Sequence, residues 1–162
     1  MPAKSKNAYQ VTLPTDREIV MTRVFNAPRE LVFRAHFDPE LVSQWWGLRS
    51  YTTHVEQLEA RAGGRWRFVQ RSADGKQEGF GGEFKEIVPP ERFVWTFAWD
   101  GMPGHSVEET YSFEEQDGKT TLTVRSVYDT REERDGMVAS GMEYGANESA
   151  DRLDEVLAKL QA

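Results

Sequence analysis

The sequence predicts a single soluble α+β domain in which an antiparallel sheet wraps around a long C-terminal helix. Three observations support this fold class. Apolar and polar residues alternate from Tyr51 to Tyr128, short turn sequences interrupt that alternation, and one long helical pattern follows it. Because the turns are too short for parallel crossovers, consecutive strands are expected to pair as a meander.

One strand and two short helices precede the meander. Residues 1–10 are expected to form a flexible tail and residues 11–162 a single domain. Pro28 can begin a helix because the N–H it lacks would be unpaired there, and Asp38 with Pro39 repeats this start as N-cap and first residue. The three elements are predicted at residues 17–26, 28–37 and from 39 to the segment Trp45-Trp46-Gly47.

The meander and the last helix complete the predicted order. A capping-box pattern, Thr130 to Glu133, begins a helix that runs to about Leu160 without a proline. About 30 helical residues span about 45 Å, so this helix is expected to cross the whole domain. The six strands are predicted near residues 51–60, 64–72, 77–87, 91–99, 105–115 and 119–128.

Composition excludes several classes of function. The net charge is -7 and no dense Lys/Arg run is present, which argues against nucleic-acid partners and stable membrane association. The chain has no cysteine, so neither a disulfide nor a thiolate metal site is expected. No apolar run approaches the roughly 20 residues that span a bilayer, and a cytoplasmic protein without a cofactor is expected. A homodimer is expected only from its general frequency among proteins.

One face of the predicted sheet is aromatic. Phe93, Trp95, Phe97 and Trp99 share a face of their strand, and together they carry on the order of 800 Å², more than a typical monomer exposes. The rings are therefore expected to be covered. Other strands extend the aromatic face with Trp66, Phe68, Phe80 and Phe84, and the row from Val107 to Phe113 adds Glu109 and Tyr111.

The last helix presents one stripe of residues at spacings of three and four. The stripe is small in its middle, at Gly145 and Ser149, and large at its ends. Two interpretations remain open: the small residues let the helix pack directly on the rings, or they leave a cavity for a ligand. The stripe comprises Val138, Met142, Gly145, Ser149, Leu153, Val156 and Leu160.

An ordered set of motifs over about residues 11–160 resembles the bacterial homologues of the activator of the heat-shock-protein-90 ATPase, in the START-like or SRPBCC superfamily. The resemblance implies a helix-grip fold with a cavity between sheet and helix. Members of this superfamily bind lipids, hormones and polyketides, some catalyse, and the eukaryotic namesake stimulates a chaperone, so fold alone does not identify the activity. The motifs are Asn26-Ala27-Pro28-Arg29-Glu30-Leu31-Val32-Phe33, Asp38-Pro39-Glu40-Leu41, Trp45-Trp46-Gly47, Gly63-Gly64-Arg65-Trp66-Arg67-Phe68, Pro89-Pro90-Glu91-Arg92-Phe93, Gly141-Met142-Glu143-Tyr144-Gly145 and Asp151-Arg152-Leu153.

The candidate site consists of side chains expected to face this cavity. Glu109 is the strongest single candidate, because a carboxyl group among aromatic rings would have a raised pKa and could orient a ligand or transfer a proton. The alternative for Glu109 is a salt bridge or a position that reaches water. Tyr144 is a further candidate for hydrogen bonding, and no histidine spacing indicates a metal site. The predicted ligand-binding residues are Trp45, Trp46, Phe68, Phe84, Trp95, Phe97, Glu109, Tyr111, Met142 and Gly145.

Three functions are compatible with the predicted fold and candidate residues. The first is non-enzymatic binding of a small hydrophobic or aromatic molecule in the cavity. The second is an enzyme of cyclase or hydratase type that acts through Glu109. The third is a co-chaperone or other protein-interaction module with a chaperone as partner, for which the sequence identifies no surface.

Overall fold

The computed structural model describes residues 8–162, which form an eight-stranded antiparallel sheet and four helices. The elements in chain order are β1 (Gln10–Thr12), β2 (Glu18–Phe25), α1 (Arg29–Phe37), α2 (Pro39–Trp45), β3 (Tyr51–Leu58), β4 (Arg65–Ser72), β5 (Gln77–Val88), β6 (Arg92–Trp99), β7 (Val107–Gln116), β8 (Lys119–Val127), α3 (Arg131–Ala139) and α4 (Met142–Leu160). The strand order β1-β2-β8-β7-β6-β5-β4-β3 confirms the meander.

The N-terminal edge of the sheet starts earlier than expected. Gln10–Thr12 form a separate strand that pairs with β2 instead of leading into it. Tyr9, assigned to the tail from sequence, donates its backbone N–H to Asn147 Oδ1 on α4 at 2.7 Å. Tyr9 and Gln10 therefore belong to the domain, whereas residues 1–7 of the predicted tail lie outside the described residues.

The predicted helix starts at Asp38 and Thr130 are confirmed. The Asp38 carboxylate accepts the Glu40 backbone N–H at 3.0 Å, and the Thr130 hydroxyl accepts the Glu133 N–H at 3.1 Å. Each side chain thereby satisfies one N–H that the first helical turn leaves unpaired. Pro28 is the N-cap of α1 rather than its first residue.

The prediction of one helix from 131 to 160 is wrong. The chain forms α3 and α4 instead, separated at Ser140 and Gly141. Gly141 has a φ of +85°, in the left-handed region, which ends the helical hydrogen bonding and turns the chain before α4. The 19 residues of α4 span about 28 Å, so the helix against the sheet is much shorter than expected.

Two glycine substitutions test this break. We expect Gly141→Ala to lower the free energy of unfolding by about 1 to 2 kcal/mol, because an L side chain is strained at positive φ although space is free there. Gly136→Ala is the matched control: Gly136 lies inside α3 with open space around it, and the change should raise stability by about 0.5 to 1 kcal/mol. Urea unfolding measures both, and equal stabilisation would contradict the break at Gly141.

The core lies between the concave face of the sheet and the helices α1, α2 and α4. Its largest fully buried side chains include Trp66, Phe84 and Phe93 on the sheet and Leu153 on α4. Trp66 stacks on Trp95 with ring centroids 3.9 Å apart. The aromatic face predicted from strand alternation is therefore covered over most of its length.

Residues at the ends of the predicted aromatic face and of the predicted helix stripe are exposed, contrary to expectation. Trp99 is exposed at the end of β6, and its indole N–H donates to the Glu78 carboxylate. Val138 and Leu160 are also exposed, because the helix break rotates the first out of the stripe and α4 ends at the second.

No helix within residues 8–162 has the length and hydropathy needed to cross a bilayer.

A buried arginine ties α4 to the sheet. Arg23 on β2 is completely buried and forms ion pairs with Asp151 at 2.8 Å and Asp154 at 2.7 Å. Both carboxylates retain contact with water. The guanidinium also lies over the Phe25 ring at 5.3 Å. The ion pairs with Asp151 and Asp154 fix the orientation of the middle of α4.

Candidate functional site

A cavity of about 370 Å³ lies between α4, the segment that follows α2, and the sheet. Its walls are mostly apolar and come from the inward faces of β6, β7 and β8, from α1 and from α4. The small residues predicted on the last helix form the α4 wall. They are Gly145, Ala146, Ser149 and Ala150.

Most of the predicted site residues meet in this cavity. Phe68 and Phe84 do not: both are buried, because the Trp46 ring packs on Phe68 at 5.1 Å and the Phe37 ring on Phe84 at 5.6 Å. Tyr144 lies outside the cavity with 73% of its surface exposed. The predicted residues in the cavity wall are Trp45, Trp46, Trp95, Phe97, Glu109, Tyr111, Met142 and Gly145.

Gly145 faces open space in the first turn of α4. A Cβ atom added there would meet only Leu48 Cδ2, at 3.9 Å, which is ordinary van der Waals contact. The helix therefore does not rest on the aromatic face at this residue. Of the two interpretations of the small stripe, the geometry supports the cavity.

Ser149 and Arg152 hold α4 against the other side of the cavity. The Ser149 hydroxyl accepts the Gly47 N–H at 3.1 Å, and Arg152 donates to the Gly47 carbonyl at 3.0 Å. Gly47 has a φ of +92°, and a Cβ there would overlap the Gln70 side chain. A glycine is thus required where the chain turns after Trp46. The small size of Ser149 serves this contact as well as the cavity.

Glu109 stands in the cavity wall, hydrogen-bonded across three strands. Its neighbours in the sheet register are Trp95 on β6 and Ser126 on β8. The Trp95 indole N–H donates to Oε1 at 2.9 Å, and the Ser126 hydroxyl donates to Oε2 at 3.0 Å. Burial raises the pKa of Glu109, and these hydrogen bonds act in the opposite direction. Both hydrogen-bond partners are uncharged, so the geometry does not support the alternative of a salt bridge at Glu109.

Three tyrosines surround this carboxyl group in the cavity wall. Burial raises the pKa of Tyr111, and the negative charge of Glu109 raises it further. Burial likewise raises the pKa values of Tyr9 and Tyr128, with Glu109 contributing to both. The three phenols are therefore neutral hydroxyls at physiological pH.

His36 on α1 adds a neutral imidazole to the same wall. Its Nδ1 lies 2.8 Å from the Val32 carbonyl, to which it donates a hydrogen bond in the neutral tautomer that this contact favours. Burial lowers the pKa of His36 to about 4. The other imidazole nitrogen, Nε2, is then a hydrogen-bond acceptor.

A second apolar cavity, of about 630 Å³, adjoins the first. The two share the wall residues Phe80, Phe97, Val107, Tyr128 and Met137. The other walls of the second cavity come from Trp99 at the end of β6, from the turn between β6 and β7 and from α3. His105 Nδ1 on that turn lies 2.8 Å from the Glu133 carboxylate on α3, so a hydrogen bond links the two elements.

Several wall residues were missed from sequence. Tyr9 was assigned to the tail, and His36 was not among the predicted ligand-binding residues. Tyr128 continues the period-two row of Leu122, Val124 and Ser126 by one step, so that signal was present in the sequence. Within residues 8–162, no group of three or more acidic, histidine or cysteine side chains is arranged to hold a metal ion.

Comparison with known proteins places the chain in a family. None of the curated proteins matches the sequence. A solved protein from Rhodobacter sphaeroides is 26% identical, with a TM-score of 0.89 over 94% of this chain and 99% of that chain. A protein from Mycobacterium smegmatis is 22% identical, with a TM-score of 0.82 over 91% and 95% of the two chains. A third, from Chromobacterium violaceum, is 26% identical, with a TM-score of 0.75 over 86% and 96%.

These structures share the helix-grip α+β fold expected from the sequence. The sequence model of the protein family described as "Activator of Hsp90 ATPase homolog 1-like protein" matches residues 26–158, from the end of β2 to near the end of α4. This span includes both short helices, the meander and α4. The chain therefore belongs to the Activator of Hsp90 ATPase homolog 1-like family of START-like proteins.

Proposed function

We propose that this protein binds a small hydrophobic or aromatic molecule in the cavity beneath α4. The observation that carries the proposal is the cavity itself: about 370 Å³, with mostly apolar walls and a few polar groups. Pockets for small ligands have volumes of about 300 to 1,000 Å³ and this same mixture of walls. The ligand-binding roles of Trp45, Trp46, Trp95, Phe97 and Tyr111 are part of this proposal.

The walls favour a flat or ring-shaped ligand. Trp45 and Trp95 are held in place by hydrogen bonds from their indole N–H groups, to the Ala35 carbonyl and to Glu109. Rings held in this way offer fixed surfaces for stacking, so a ligand would lose little free energy in ordering them. Met142 offers an adaptable apolar contact on the α4 side.

A cavity-filling substitution tests the proposal. We expect Gly145→Leu to weaken binding of prodan, a neutral naphthalene ketone whose fluorescence reports apolar surroundings, by about tenfold or more. The melting temperature of the ligand-free variant should be unchanged or higher, because leucine favours a helix by about 0.8 to 1 kcal/mol over glycine and enters open space.

Ala158→Leu is the control for this experiment. It adds the same kind of side chain to the exposed face of α4 and should leave prodan binding unchanged. If neither prodan nor neutral or basic aromatics of similar size bind the parent protein, the proposal is wrong. A melting temperature that falls by several degrees in Gly145→Leu would indicate overpacking, which costs typically 1 to 3 kcal/mol, and hence a filled core.

A second candidate function is acid–base catalysis on the bound molecule. It is favoured by one observation, the raised pKa of Glu109 in the cavity wall. In that case Glu109→Gln abolishes turnover while binding is nearly unchanged. The interpretation as a co-chaperone has the family description alone in its support.

A further inference from the structure

Glu109 and its hydrogen-bond partners form one polar cluster in the cavity wall. The two carboxylate oxygens of Glu109 each accept a hydrogen bond, from the Trp95 indole N–H and from the Ser126 hydroxyl. An indole N–H can only donate. Oε1 is therefore an acceptor in either protonation state, and the donation from Ser126 to Oε2 suits the ionised form of Glu109.

No positive charge balances this carboxyl group among the residues that the structure describes. None of the ion pairs within residues 8–162 includes Glu109. Arg23 lies 5.9 Å from the ring of the cavity residue Tyr9, but Asp151 and Asp154 already neutralise it. The imidazole of His36 is neutral near pH 7, since burial lowers its pKa to about 4.

The remaining surroundings are suited to a cation. Trp45, Trp46, Trp95 and Tyr111 line the same cavity as Glu109, and the negative face of an aromatic ring attracts a cation within about 6 Å. His36 Nε2 offers a further acceptor. A buried carboxylate is costly without a partner, and a ligand that brings a positive charge supplies that partner.

We propose that the ligand is an organic amine: an apolar, ring-containing body with one basic nitrogen, whose ammonium N–H groups donate to the Glu109 carboxylate. The inference rests on the proposed function, since it assigns a chemical class to the occupant of the same cavity. A ligand whose oxygen accepts a hydrogen bond from a protonated Glu109 is the opposite case. The present hydrogen bonds to both oxygens favour the amine.

A matched pair of ligands tests this assignment. 2-(Naphthalen-2-yl)ethylamine and 2-(naphthalen-2-yl)ethanol share one skeleton and differ in having an ammonium or a hydroxyl group. We expect the amine to displace prodan about tenfold or more better than the alcohol at about pH 7. In Glu109→Gln, which keeps an oxygen for Trp95, the two should bind within about threefold of each other. Glu108→Gln, on the exposed face of β7, is the control and should keep the preference.

The outcomes separate the two proposals. If the alcohol binds as well as the amine to the parent protein, the amine assignment is wrong while ligand binding stands. The assignment is also wrong if the preference survives in Glu109→Gln. If neither compound nor prodan binds, the proposed function fails, and the amine assignment fails with it. The comparison on the parent protein decides the question even if Glu109→Gln does not fold.

Discussion

Replacing both Asp151 and Asp154 by asparagine is expected to lower the free energy of unfolding by about 3 to 5 kcal/mol. The double change leaves the Arg23 guanidinium completely buried with no acidic partner. Its Nε already has no hydrogen-bond partner within the described part of the chain, so no spare contact can compensate. Chemical denaturation at neutral pH measures the loss.

Arg23→Met is the informative counterpart to this double variant. It removes the buried charge, fills similar space, and leaves two carboxylates that reach water. We therefore expect it to cost less than half as much as the double aspartate change. An equal loss in both variants would mean that the attraction itself, rather than the buried charge, determines the effect.

Lowering the pH from about 6.5 to 4 is expected to remove about 3 kcal/mol of stability through His36 alone. Burial lowers the pKa of this imidazole to about 4 in the folded chain, against 6.5 for an unperturbed histidine. The unfolded chain therefore binds the proton first as the pH falls. The contribution of His36 is fully present above about pH 6.5 and is lost progressively toward pH 4.

His36→Phe tests this prediction because phenylalanine cannot titrate. The difference in unfolding free energy between parent and variant should change by about 3 kcal/mol between pH 6.5 and 4. A parent and a His36→Phe variant with parallel pH curves would show that the imidazole is not buried in its neutral form.

The sheet was predictable because its signals are local. Alternation between short turns determines antiparallel neighbours, and the same alternation placed Trp95 and Glu109 on one face. The break in the last helix was not predictable in this way. Gly136, Gly141 and Gly145 all lie in the helical pattern, and only the folded chain reveals that the second of them adopts a positive φ.

The candidate site was predictable in part for a related reason. Strand alternation identifies which rings point inward, but not which of them another element covers. Phe68 and Phe84 point inward, as predicted, but Trp46 covers Phe68 and Phe37 covers Phe84. That covering depends on how α1 and α2 pack on the sheet, which is a tertiary property. Tyr9 was missed because it precedes β1, a strand of three residues that is too short to give a periodic signal.

The indole N–H resonances of the five tryptophans test the central claim most directly. Trp45 and Trp95 lie in the cavity wall, whereas Trp99 lies at the exposed end of β6. In a two-dimensional NMR titration with prodan, assigned by single Trp→Phe variants, we expect the Trp45 and Trp95 signals to shift together and saturate while Trp99 stays in place. Movement of Trp99 alone, or of none of these signals at saturating prodan, would contradict binding in the cavity beneath α4.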